Sequence, residues 1–227
     1  MRTKTLLLTA ALTAAGVATS MAQVYSVNMV GYINHTIPAG FSMLANHLNN
    51  SPDNLVITLF PAPPEGTRVF KYDPGSDVYN QISFVDGVWE GDGPESMTLG
   101  PGEGVFIDPP SPIPHTFVGE VQLQSTVSLV VGFNMVSSVL PQSLPLDGAP
   151  NDGNATPPAG LGFPIGEGDR VLQYNPVNRT YNENAFRDGV WEGEGAGVAP
   201  SPGISEAFWI SAAGARSWSR NFVVGVD

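Results

Sequence analysis

The first residues in this chain that could do chemistry are two acidic clusters. Asp86, Glu90 and Asp92 fall in one short stretch, and Asp188, Glu192 and Glu194 repeat the pattern. Glycines interleave with both, in Asp86-Gly87-Val88-Trp89-Glu90-Gly91-Asp92-Gly93 and Asp188-Gly189-Val190-Trp191-Glu192-Gly193-Glu194-Gly195. Calcium wants roughly six to eight oxygens, several from carboxylates and backbone carbonyls, and glycines let carbonyls converge. Ca2+ is thus the one cofactor these residues raise. The spacing is not that of an EF-hand loop, however, and an Asp-Gly pair has an adequate role as a tight turn. Trp89 and Trp191 sit in the same stretches, with Tyr72 and Tyr174 upstream. Such rings can stack on a ligand, or they can bury as matched anchors, one per copy. A residue kept in both copies of a duplication serves what the copies share, which favours the core over the ligand platform.

No catalytic constellation accompanies them. There is no Gly-x-Ser-x-Gly elbow. The three histidines, His35, His47 and His115, all lie in the first half and are not at zinc-ligand spacing. They read as surface or strand residues. No cysteine is present, so there is no disulfide and no thiol nucleophile. None of the carboxylates falls in a motif that marks a glycosidase pair. Arg68 and Arg170 occupy matched positions and read as partners of a nearby carboxylate. The chain reads as non-enzymatic.

The elements that position these residues are duplicated. The two Asp-Gly-Val-Trp-Glu-Gly stretches lie 102 positions apart, and at that offset 15 of the 28 residues in 66–93 match those in 168–195. Residues 1–22 read as a secretory signal peptide: Arg2 and Lys4, an apolar run over 6–17, then Ser20-Met21-Ala22. The run is too short to span a membrane, and no later stretch is apolar for long enough. Export to the medium or the cell envelope is the expectation. The net charge is −12 and becomes more negative once Arg2 and Lys4 are removed, which disfavours nucleic acid and anionic lipid as partners. Gly and Pro make up about a fifth of the 227 residues, spread between short apolar runs, a composition that suits many short strands and turns.

Alternation predicts strands over 24–30, 32–37 and 41–48. One short helix is predicted with Ser51 as its cap and Pro52 as its first residue, its apolar face over 55–60 and its end by Pro61. A hairpin follows over 67–72 and 79–85, then strands at 88–89, 105–107 and 116–122. The second copy repeats this from Val127, except that an irregular Pro- and Gly-rich loop over 141–164 replaces the helix. Because 221–226 resembles 116–121 and has no third copy to lead into, it is predicted to lie beside one of the first mature strands.

Gly40-Phe41-Ser42-Met43 with Gly132-Phe133-Asn134-Met135, Tyr72-Asp73-Pro74 with Tyr174-Asn175-Pro176, and Pro101-Gly102-Glu103-Gly104-Val105-Phe106-Ile107 together resemble a repeated all-β module of bacterial surface and secreted proteins. The second copy departs at Pro202-Gly203-Ile204-Ser205-Glu206-Ala207-Phe208-Trp209. The start of the mature chain is similar to a group of short exported proteins of unassigned function. The resemblance implies no catalytic residues. The expectation is an all-β chain: a signal peptide (1–22), then a tandem duplication of a small β-sandwich or barrel-like module (23–122 and 123–227), closely packed, with at most one short helix. Its expected role is that of a secreted or cell-surface structural or binding module, with a cell-surface protein or polysaccharide as partner. The alternative is a carbohydrate-binding protein or accessory module of a polysaccharide-degrading system.

Overall fold

The computed structural model describes residues 29–150, 159–194 and 196–223. The predicted leader, the first strand's opening at 24–28 and the last strand's end at 224–226 lie outside the described residues. In the first half the strands are β1 (Val30–Ile37), β2 (Ser42–Leu44), β3 (Arg68–Asp73), β4 (Val78–Val85), β5 (Val88–Gly91), β6 (Val105–Asp108) and β7 (Ile113–Glu120). A single helical turn, α1 (Val56–Leu59), stands between β2 and β3. The second half repeats the order with β8 (Gln124–Leu129), β9 (Gly132–Val136), β10 (Arg170–Asn175), β11 (Thr180–Arg187), β12 (Val190–Gly193), β13 (Phe208–Ala212) and β14 (Arg216–Asn221).

Each half is a sandwich of a five-stranded antiparallel sheet and a two-stranded ribbon. The sheets run β2-β6-β3-β4-β5 and β9-β13-β10-β11-β12, and the ribbons are β1-β7 and β8-β14. Side chains alternate across a strand, so each sheet presents two different faces. In the first half Val69, Ile82 and Ile107 point toward the ribbon and pack with Ile37, Phe117 and the α1 residues Val56 and Leu59. In the second, Val171, Phe208 and Ile210 meet Leu129 and Trp218, with Leu146, Leu161 and Phe163 from the long loop in place of α1. The other faces of the two sheets meet each other through Met43, Phe106, Met135, Ala207 and Trp209. Both sheets are therefore covered on both sides.

The halves are joined by reciprocal contacts. Leu44 bridges Glu206, and Val136 bridges Glu103. The Ala45 N–H donates to the Ser205 carbonyl and the Ser137 N–H to the Gly102 carbonyl, both at 3.0 Å. Each contact is the other with the halves exchanged, as across a dimer two-fold. Gly104 and Ala207 occupy matched places and face each other, and a Cβ added at Gly104 would come within 2.6 Å of Ala207 Cβ.

Several expectations need correction. The strand predicted at 41–48 stops at Leu44, and 45–48 is a buried irregular segment that enters the joint between halves. His47 is not a surface or strand residue but is buried there. Its Nε2 accepts the Ser205 N–H at 2.8 Å, which leaves Nδ1 to donate to the Ser138 carbonyl at 2.6 Å. Burial pushes this imidazole down to about 4, against a smaller upward pull from the Ser138 carbonyl. His35 and His115 do lie on strands, opposite each other in β1 and β7. The helix forms over 56–59 without a side-chain cap. Asn54 accepts the Asn50 N–H and Asp53 accepts the Leu55 N–H, local turns that compete with an earlier helix start. The last described strand, β14, ends at Asn221, where the predicted terminal strand begins, and it pairs with β8, while β1 has β7 as its partner. Each half closes its own ribbon.

Candidate functional site

The duplicated stretch builds a corner of each half. Asp86 and Gly87 both have positive φ, 50° and 79°, and form the two-residue turn between β4 and β5; Asp188 and Gly189 repeat it at 49° and 75°. The turn is tied back where the Asp86 N–H donates to Glu65 Oε1 at 2.6 Å and the Asp188 N–H to Glu167 Oε1 at 2.8 Å. Gly91 and Gly193 end the edge strands with φ of 124° and 112°, where a Cβ would collide with the carbonyl oxygen of Gln81 or Glu183. The six acids proposed for Ca2+ are spread around these turns. Asp92 accepts the Gln81 N–H, and Glu192 lies 3.6 Å from Arg187. Among the described residues no group of three or more acidic or histidine side chains gathers about one point.

The two tryptophans pack inward. Trp191 is buried in the second core and donates its indole N–H to Asp147 Oδ2 at 2.8 Å. Trp89 is half-buried against the first core and donates to the Phe60 carbonyl at 2.9 Å. Each ring also meets a phenylalanine of the neighbouring strand edge-on, Phe84 or Phe186, at 5.5 and 5.4 Å. The structure puts these rings in the packing role.

Tyr72 and Tyr174 lie elsewhere, on the sheet faces that meet. Tyr72 pairs across the hairpin with Tyr79, and Tyr174 with Tyr181. Around them is a continuous field of rings from both halves. Phe106 lies 5.4 Å from Tyr174 and 6.2 Å from Phe41. Trp209 lies 4.9 Å from Tyr72 and 5.8 Å from Phe133. A groove of about 480 Å3 opens into this field, lined by Phe41, Phe70, Tyr79, Phe106, Tyr174 and Tyr181, with Gln81 as the one non-aromatic wall. Phe41, Tyr79 and Tyr181 remain 39%, 44% and 41% exposed. Large rings normally bury far more of themselves, and a concave apolar wall with a few polar groups is the usual form of a ligand site.

The groove is uncharged. Burial holds the Tyr79 phenol well above its ordinary range, and the Tyr181 and Tyr72 phenols push it further. Burial also raises Tyr181. These hydroxyls keep their protons and remain donors as well as acceptors. Arg68, beside the groove, is committed to Asp108, and its counterpart Arg170 to Glu183. The Arg68 guanidinium also lies 5.7 Å from the centroids of both Phe41 and Phe70, steadying one wall. A second cleft of about 470 Å3 also spans the halves, bordered by His35, Gln173 and Glu206. There Glu206 accepts from the Gln173 amide and the Gly203 N–H, so its carboxylate is already used.

The sequence singles out Tyr72 and Tyr174 as matched rings, but not Phe41, Phe70 or Phe106. A signal was available. β3 carries Val69 on one face and Arg68, Phe70 and Tyr72 on the other, and bulky rings on the face away from the core mark a second buried layer. The departure in the second copy also resolves. Glu103 Oε2 accepts the Gly100 N–H, and Glu206 Oε2 accepts the Gly203 N–H, each at 2.7 Å. Gly203 thus matches Gly100, not Gly102, and Ser205 takes the positive-φ place of Gly102. Comparison with known protein families, with curated proteins and with solved structures finds no match to this chain.

Proposed function

We propose that this protein is a secreted or cell-surface binding module without catalytic activity, and that its ligand lies in the aromatic groove between the halves. The observation that carries this reading is the groove itself: three rings two-fifths exposed, backed by three more, on two rigid sheets. Rings on strands hold their positions better than rings on loops. No carboxylate or imidazole lines the groove, which supports binding rather than acid–base chemistry. The signal-like start of the chain and its resemblance to exported all-β modules agree with an extracellular setting. The test is nuclear magnetic resonance of the mature chain with indole and phenol as fragment probes. Shift changes should centre on Phe41, Tyr79 and Tyr181, and a Tyr79→Ala/Tyr181→Ala variant should lose them. Changes that centre instead on Trp89 or on the cleft beside Glu206 would overturn the assignment.

A further inference from the structure

We infer that the molecule carries two related aromatic sites, one of which it fills with its own Trp209, and that the open one takes an uncharged sugar chain. The ligand class rests on the binding reading above; the inequality of the two sites does not.

The reciprocal joint between the halves gives every residue of the open groove a counterpart. Phe106 pairs with Met43 in one sheet, and Trp209 pairs with Met135 in the other, so these two rings occupy matched places. On its side Trp209 is almost fully buried and packs edge-on against Tyr72 at 4.9 Å, Phe133 at 5.8 Å and Tyr79 at 6.3 Å. Phe106 is smaller and has no N–H, and the groove of about 480 Å3 opens on its side. The larger ring does in the second half what a ligand would do in the first.

Trp209 therefore shows what this wall accepts: a flat, uncharged ring with C–H or π surface toward aromatic edges, and a hydrogen-bonding group on its rim. The open side adds polar capacity. The phenols of Tyr79, Tyr174 and Tyr181 border it together with the Gln81 amide, each able to donate and to accept. Gln81 stands where the second half has Glu183, since both lie opposite matched residues of β3 and β10. The open side has an amide where the filled side has a carboxylate. A sugar ring combines C–H faces with hydroxyls that both donate and accept, which fits phenols and an amide. A proline-rich peptide offers acceptors without matching donors. Anionic chains are disfavoured by a net charge of −12 and by the pairing of Arg68, the arginine beside the groove, with Asp108.

The experiment is titration calorimetry of the mature chain with cellohexaose, xylohexaose and mannohexaose, with oligogalacturonate as the anionic control and a tryptophan-bearing peptide as the aromatic control. At least one neutral hexasaccharide should bind at one site per chain, and oligogalacturonate should not. Phe106→Trp installs the residue the protein already uses at the matched place, so it should fold normally and weaken binding at least tenfold. If that variant melts early, Tyr181→Ala at the rim carries the same test. Trp209→Phe should raise the stoichiometry toward two. Failure of all neutral sugars, or binding unaffected by both groove variants, would overturn the sugar inference. Binding of the peptide alone, lost in Phe106→Trp, would sink the sugar class while leaving the groove as a binding site.

Discussion

Trp89 and Trp191 stand at matched places, yet each half covers its tryptophan differently. In the first half the indole N–H reaches the Phe60 carbonyl at the end of α1, and the ring stays half-buried. In the second it reaches the Asp147 carboxylate on the long loop, and the ring is only 4% exposed. What the two halves share is a corner that demands a flat ring and one acceptor. What differs is the segment that supplies the acceptor. A helical turn and an irregular loop are interchangeable here because both need only cover one face and present one oxygen. The lesson extends to the joint. There His47 matches Val139, and Ser205 matches Gly102, so a polar pair in one half stands where the other has an apolar contact.

The largest effect should come from breaking this corner. Trp191→Ala removes a buried indole and leaves the Asp147 carboxylate without its donor, and should cost about 3–5 kcal/mol. Trp89→Ala removes a ring that is only half-buried, and its acceptor is a neutral backbone carbonyl rather than a carboxylate; about 2 kcal/mol is expected. Thermal melts of the two variants check the ranking. Equal losses would mean that the loop covers its ring no better than the helix does.

The next effect separates the joint of the two halves by pH. His47 is held neutral in the folded chain, pushed down to about 4 from an ordinary 6.5. The folded state then binds fewer protons than the unfolded chain between these values. The contribution of His47 is therefore complete above pH 6.5, declines as pH falls from 6.5 to 4, and levels off below 4. By the usual conversion His47 alone accounts for about 3 kcal/mol of that loss. Burial and the neighbouring His35 likewise push His115 down to about 4, so the two act in the same window. His47→Val, which copies the second half, should lower stability at pH 7 by leaving the Ser205 N–H unpaired, and should flatten the acid limb without removing it. Melting temperatures from pH 7.5 to 3.5 test this. An unchanged acid slope in the variant would assign the acid sensitivity to His115 and the carboxylates.

How much of this the sequence discloses depends on which face of a strand is asked about. The duplication, the hairpins and the Asp-Gly turns are local, so their spacing gives them away. The arginine partners were also foreseeable, because Arg68 and Arg170 sit on strands with acids nearby. The repetition of the tryptophans favours a shared packing role, and it reflects a corner that both halves must build. The groove was hidden for the opposite reason. Phe106 and Trp209 differ, as do Gln81 and Glu183, and a search for what is kept passes over what has diverged. His47 gave no local sign, since its partners Ser138 and Ser205 come from the other half of the chain. Among the described residues the first and last strands do not pair, because each takes its neighbour from its own half, β1 with β7 and β14 with β8.

The smallest effect tests whether the halves are interchangeable at one ion pair. Arg68 has Asp108 directly opposite it on β6. Arg170 has Ser211 at that place and reaches instead for Glu183, two residues along β11 from its direct partner Ala185, at 3.0 Å. A direct cross-strand pair lies closer than a diagonal one. Accordingly the Asp108 side chain is 14% exposed and that of Glu183 47%. Both arginines are 40% exposed or more, so water screens each pair and neither contributes much. Asp108→Ser should cost up to about 1 kcal/mol, and Glu183→Gln only a few tenths, roughly. The comparison sharpens in the double variant. Gln81→Glu with Asp108→Ser writes the second half's arrangement into the first, and should recover about half of the loss from Asp108→Ser alone, because the recovered pair is the diagonal one. A double-mutant cycle read by thermal melts at low salt measures this coupling, and added salt should shrink it. If the two substitutions are simply additive, Arg68 cannot turn toward position 81, and its stacking on Phe41 and Phe70 is what fixes it in place.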